Sequence, residues 1–372
     1  MKIAMITMKF DKTTGIARYA VEMVERLVKE HQVHLITRWD DYQVPDLHIH
    51  RSPLINGPPF LQVGLNAVEN ARRVKQLDKR ENFDLIVSNG AESILQDIVT
   101  MHSCHRAGVE QHNKERGRPF TIRPADWVIL LIERHNCRKG NYSKIIAVSE
   151  SVKQELMKYY HIPDEDIIVI HNGVNIDEFK PDPQTRFEVR RRYDVKERDI
   201  MMLWVGHDFR GKGLEFAIKA LPMVSNDVKL FVVGGDNPSR YKQLAQEFGV
   251  SDRVLFLGRS TNVSQWYAAS DIFVFPTAYE GCPLVVLEAM ATGIPAITTR
   301  IAGAAELISD GYDGVLFDDH TDAGEIAQKI NLLSEDQGLR ETIGSNARKT
   351  AEDYSWDKVA LRTMEVYQSL RA

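Results

Sequence analysis

Ile200-Met-Met-Leu-Trp-Val-Gly206 is an unbroken apolar run. It is followed by the polar stretch His207-Asp-Phe-Arg-Gly-Lys-Gly213 and by apolar residues at helical spacing up to Met223. A short apolar run bounded by glycine reads as a buried strand, and the spacing beyond it predicts a helix over 211–223. Strand-like runs at 229–233, 253–257 and 272–275 repeat the pattern, with helices expected over 239–248, 261–269 and 283–291. Strands at 295–299 and 313–317 follow, then helices over 321–333, 337–352 and 356–370. Upstream, strands are expected at 1–8, 33–37, 83–88, 98–101, 144–149 and 167–170. One helix is expected over 16–30, and another runs through Tyr160 with Ser149 or Ser151 as its cap. Strands alternating with helices predict parallel sheets covered on both faces. The breaker-rich Asn172–Pro183 stretch divides the series into two doubly wound α/β domains, 1–175 and 183–350. Ligands in such folds lie beyond the carboxyl ends of the strands, so a cleft between the domains is the expected site.

The 372-residue length agrees with two domains. Apolar residues make up 43% and charged residues 27%, which argues against a disordered chain, a fibre or an integral membrane protein. The net charge of −5 disfavours a nucleic-acid binder. Cys104, Cys137 and Cys282 contain no CxxC pair, so neither a disulfide framework nor a zinc knuckle is indicated, and a reducing cytoplasm is expected. The apolar start is interrupted by Lys9 and Asp11 before a signal-peptide core forms.

Four segments carry candidate chemistry. Glu280-Gly-Cys-Pro-Leu284 links a strand to a helix, and Pro283 suits the first helical position. Backbone N–H groups there form a site for a phosphate or oxyanion. Glu288 lies in an otherwise apolar helix. A buried carboxylate there needs a ligand or a cation, and it could accept a pair of hydroxyls from a diol. Arg210 and Lys212 stand among glycines before a helix, where two cations make sense against a bound diphosphate. The turn Lys9–Ile16, with Gly15, could face the same ligand or be a plain strand–helix turn. His102 reads equally as a sugar-binding or acid–base group and as one histidine of a His-rich loop.

These residues give the chain its resemblance to the retaining, nucleotide-sugar-dependent glycosyltransferases of family 4, which have the two-Rossmann-domain GT-B fold. Glu280 and Glu288, with seven residues between them, match the EX7E motif of that family. Val205–Gly213 resembles its phosphate loop, Ala147–Asn175 its interdomain segment, and Tyr354-Ser-Trp356 the lead into its last helix. The resemblance implies that the segment 356–372 crosses back to the N-terminal domain. It implies that Glu288 holds the ribose, Glu280 sits near the donor sugar, and Gly281, Cys282, Pro283 and Leu284 contact sugar and phosphate. It makes Lys212 the diphosphate lysine, Gly15 part of the donor loop and His102 the histidine near the sugar. His207 stands where the family often has an arginine, so Arg210 is the candidate for the second charge. No metal or other cofactor is expected, since protein cations replace one. UDP is the expected nucleotide. A nucleotide-sugar epimerase and a non-catalytic sugar-nucleotide-binding subunit are the alternatives.

Residues 102–144 hold nine Lys/Arg against four Asp/Glu and include the apolar, Trp-bearing stretch Trp127–Ile132. The stretch reads as a core helix beneath a solvated basic face. Peripheral contact with anionic lipid, suiting a glycolipid or lipopolysaccharide acceptor, is the other reading.

Overall fold

A computed structural model describes residues 1–53, 58–117 and 119–371. Arg118, in the basic stretch, and Ala372, at the end of the last segment, lie outside the described residues. The chain forms two compact units, Met1–Asn172 with the segment from Trp356 onward, and Gly173–Ser355.

The N-terminal unit contains β1 (Lys2–Ile6), β2 (Lys9–Phe10), β3 (Gln32–Thr37), β4 (Trp39–Asp40), β5 (His48–Arg51), β6 (Leu85–Asn89), β7 (Ile98–Met101), β8 (Lys144–Ala147) and β9 (Ile167–Val169). Its main sheet is parallel, in the order β5-β3-β1-β6-β7-β8-β9, while β2 and β4 form a separate two-residue ladder. The second unit contains β10 (Ile200–Val205), β11 (Val228–Val233), β12 (Val254–Gly258), β13 (Ile272–Phe275), β14 (Ala296–Thr299) and β15 (Val315–Phe317). These strands form a parallel sheet in the order β12-β11-β10-β13-β14-β15. In each unit the order reverses beside the first strand, between β1 and β6 and between β10 and β13. Such a switch point opens a crevice at the carboxyl edge.

Every residue of β10 is buried, as expected for a central strand with both faces covered. Met202 and Trp204 on one face pack with Leu214, Leu230 and Ile326 in the core of the second unit. The edge strand β5, His-Ile-His-Arg, is mostly exposed, and its composition gives no strand signal. Neither that strand nor the helices Pro59–Glu81 and Pro183–Arg192 were assigned from sequence. Ser149 is the cap before Tyr160, accepting from the Val152 N–H at 3.2 Å, whereas Ser151 hydrogen-bonds to the Ser149 hydroxyl.

The helix Trp356–Ser369 packs within the N-terminal unit. Trp356 meets Tyr19 edge-on with ring centroids 5.8 Å apart, and Arg26 Nε pairs with Asp357 at 2.6 Å. Among the described residues, no helix is long and apolar enough to cross a membrane.

Candidate active site

In the second unit, the turn after β10 is held mainly by backbone contacts. Asp236 accepts from the Phe209 N–H at 3.1 Å, and Asp208 accepts from the Gly211 N–H at 3.0 Å. The Thr277 hydroxyl, from the loop after β13, donates to Gly211 O at 3.2 Å. Gly213 has φ +69°, and a Cβ there would lie 1.7 Å from Pro276 O. Only glycine fits both the backbone angle and the space. The helix therefore begins at Leu214, three residues later than the periodicity predicts. This leaves Arg210 exposed on the turn and brings Lys212 over the switch point beside β13. Lys212 Nζ forms an ion pair with Glu280 Oε1. Burial pushes the Lys212 ammonium down to about 8, against an upward pull from Asp208.

Glu280 is anchored through its backbone, its carbonyl accepting from the Gly303 N–H at 2.9 Å. Gly281 and Cys282 are buried beneath the loop, and Leu284 is half-buried. Sequence makes Pro283 the first helical residue. In the structure it is the N-cap, with ψ 122°, and the helix runs Leu284–Thr292. The extended ψ keeps proline outside the helix. The first helical N–H thus belongs to Leu284, and no side chain caps it.

Glu288 is buried at 6% exposure. The Tyr267 hydroxyl donates to its Oε2 at 2.9 Å. A neutral donor reduces the cost of burying the carboxylate. Tyr267 was not singled out from sequence, where it is one aromatic in the short helix Ser264–Ala269. Lys212, Glu280, Gly281, Cys282, Pro283, Leu284 and Glu288 all belong to the β10 and β13 connections, with Arg210 on the same turn.

Gly15 and His102 belong to the N-terminal unit. Gly15 opens the helix Gly15–Leu27, which Thr14 caps by accepting from the Ala17 N–H at 3.4 Å. His102 follows β7, with Nε2 3.4 Å from Asn89 Oδ1 and its ring edge-on to Tyr19 at 4.8 Å. Burial pushes its pKa down to about 4, so the imidazole is neutral at physiological pH. That suits hydrogen bonding to a sugar better than donation from an imidazolium. Glu92, absent from the sequence candidates, lies at the same sheet edge. Burial raises it to about 8, against hydrogen bonds from the Met8 N–H and the Thr7 hydroxyl. Glu92 Oε2 and Asn89 Nδ2 are buried without a hydrogen-bond partner among the described residues.

The stretch 124–136 is a helix, but not a core helix. Trp127 and Leu131 are 53% and 57% exposed. The helix packs on Pro59–Glu81 at Gly64, where a Cβ would lie 2.9 Å from Val128 Cγ1. Leu61, Leu65 and Val68 on that neighbouring helix are also exposed. Among the described residues, no group of three or more His, Cys, Asp or Glu is arranged to hold a metal ion.

Two family descriptions match the chain, Glycosyltransferase Family 4 over residues 13–178 and Glycosyl transferases group 1 over residues 185–350. The chain is similar to an uncharacterised glycosyltransferase of Methanocaldococcus jannaschii, MJ1607, at 29% identity over 99% of this chain and 98% of that one. Lipopolysaccharide glucosyltransferase WaaG of Escherichia coli is 28% identical over 59% of this chain and 60% of its own length. The solved structure of Anabaena HepE in complex with UDP-glucose aligns with a TM-score of 0.76 at 21% identity, covering 99% of this chain and 100% of that one. The two parallel-sheet units have the GT-B architecture.

Proposed function

The chain belongs to the glycosyltransferases of the family 4 type, and from that premise we propose that it moves a sugar, with retained configuration, from a UDP-sugar to a hydroxyl of a glycan or glycolipid. The observation carrying this reading is the Lys212–Glu280 pair at the switch point, with Glu288 buried along the same connection. The bond from the anomeric carbon to the diphosphate breaks, and the acceptor oxygen bonds to that carbon on the same face. The acceptor proton passes to the departing phosphate oxygen. Lys212, Arg210 and the N–H groups of Gly281, Cys282 and Leu284 stabilise the charge that develops there. Pro283 has no N–H to give and shapes the turn. Glu288 accepts the ribose hydroxyls while Tyr267 holds its other oxygen. Glu280 keeps Lys212 in place until the diphosphate takes over as counter-ion, and it orients the sugar. His102 hydrogen-bonds a sugar hydroxyl, and Gly15 lets the donor phosphate approach the backbone. No metal is assigned to the reaction.

A pocket beside the same turn, lined by Phe209, Gly234, Asp236, Phe256 and Arg259, offers a place for the nucleobase. We take uracil as the base because HepE, similar in fold, is solved with UDP-glucose. The exposed Trp127, Leu131, Leu61 and Leu65, in a region rich in Lys and Arg, support docking on an anionic membrane from the cytoplasm, where a glycolipid or lipopolysaccharide acceptor would be met.

A thermal-shift comparison of UDP, GDP and ADP tests the donor, with UDP expected to raise the melting temperature most. Proton NMR of the product tests the stereochemistry, and an inverted anomeric centre would rule the mechanism out. Cosedimentation with anionic but not neutral vesicles, lost in Trp127→Glu, tests the membrane contact. Equal binding to both vesicle types would dismiss it.

A further inference from the structure

Trp204 lies in β10 and is fully buried. Its indole extends from the strand beneath the turn that follows. A Cβ on Gly206 would lie 2.7 Å from Trp204 Cη2, so the ring takes the space that a side chain at 206 would fill. Phe209 meets the indole edge-on, with ring centroids 5.3 Å apart. Nε1 donates to Lys212 O at 3.2 Å. One side chain therefore touches the turn at its start, its middle and its end.

Lys212 stands between Gly211 and Gly213. Glycine on both sides gives the main chain there many conformations to choose from. The Lys212 carbonyl has no partner in the helix. The Phe216 N–H, which a regular α-helix would send to it, goes to Gly213 O at 2.9 Å. The indole takes that carbonyl instead. On the other side, the Lys212 N–H donates to Asp208 O at 3.0 Å. Both main-chain polar groups of the lysine are thus held, one by the turn itself and one by Trp204. An indole N–H can only donate, so the direction of the bond is fixed. Leaving that buried donor without an acceptor is costly, which ties the turn to the strand. From this fixed backbone the Lys212 side chain enters a desolvated place beside Glu280.

We propose that Trp204 is a positioning residue of the diphosphate site, its indole N–H fixing the main chain of Lys212 and so aiming the ammonium at the anion. The proposal rests on the transferase reading above, which makes Lys212 the diphosphate lysine. Trp204 acts through Lys212 and not on the substrate.

The test uses the full chain, with UDP as the probe. Replacing Trp204 by benzothienylalanine keeps the bicyclic ring and puts sulfur in place of the N–H. UDP affinity, by calorimetry, should fall about three- to tenfold, as for one lost hydrogen bond. Trp204→Phe should weaken UDP at least as much, and should it fail to fold, the ring-preserving replacement decides. The second readout is the titration of the Lys212 ammonium by NMR of isotope-labelled lysine, with Lys212→Arg identifying the signal. In both Trp204 variants its midpoint should move from about pH 8 toward the ordinary lysine range, as the ammonium leaves its desolvated place. Leu230→Ala, in the same core, should lower the melting temperature and leave both readouts unchanged. An unmoved Lys212 titration in the benzothienyl chain would overturn the proposal. So would equal changes in Leu230→Ala, which would reduce Trp204 to packing. Undiminished UDP affinity in the benzothienyl chain would overturn it as well, where Lys212→Ala does weaken UDP. If Lys212→Ala leaves UDP binding intact, the transferase reading fails, and the titration alone decides the role of Trp204.

Discussion

The two units reach the same sheet order by different means at their switch points. Around β10 and β13, contacts to the main chain set the loops. A Cβ on Gly234 would lie 1.9 Å from Gly206 O, one on Gly213 would meet Pro276 O, and Lys212 is already paired with Glu280. Around β1 and β6 the edge carries side chains with hydrogen-bonding capacity left over among the described residues, Asn89 Nδ2 and Glu92 Oε2. A backbone-built site tolerates little change in its residues and so suits a ligand that stays constant, the nucleotide diphosphate. A site built from side chains can be respecified by substitution, which suits an acceptor that differs between relatives.

The comparison breaks first at Lys212. Lys212→Ala should lower kcat by about 100- to 1,000-fold in steady-state assays, as loss of a transition-state charge does. A comparable loss from Lys9→Gln would erase the contrast. Gly213→Ala should destabilise the second unit by about 2 kcal/mol or more, because a positive φ and a blocked Cβ coincide. Hydrogen exchange should rise in 173–355 and not in 1–172. The pH dependence of the donor KM sharpens the contrast. With the Lys212 ammonium lost above about pH 8, donor KM should rise with pH from there, by up to about tenfold per pH unit. Lys212→Arg should remove that rise, and a flat profile in the unaltered chain would detach Lys212 from the diphosphate. Tyr267→Phe strips one donor from Glu288 and should cost about 1–3 kcal/mol, seen as weaker UDP binding by calorimetry. His102, neutral down to about pH 4, should contribute no ionisation to the rate between pH 5 and 8. A limb in that range that disappears in His102→Gln would show it to be charged there.

The same contrast governs what could be read from sequence. The strands of the second unit are mostly apolar runs with Gly, Pro or Asp beside them, so its order of elements and its motif loops are visible in the chain itself. Residues 38–82 were opaque. The strand His48–Arg51 is polar because it lies at a sheet edge, and the helix Pro59–Glu81 leaves Leu61, Leu65 and Val68 on its surface. Pro283 was misplaced by one position because φ −68° fits both a cap and a first turn, and only ψ distinguishes them. The partner of Glu288 was hidden because Tyr267 lies 21 residues away, on another helix.

The helix Trp356–Ser369 sets a further condition on how the protein comes into being. Its Trp356, Val359 and Tyr367 are buried, and the helix packs in the unit built from residues 1–172. During translation, 183 residues of the other unit emerge between Asn172 and Trp356. The half made first therefore waits, with an incomplete hydrophobic surface, while the half made second already has all its strands. Order of synthesis and order of completion are reversed.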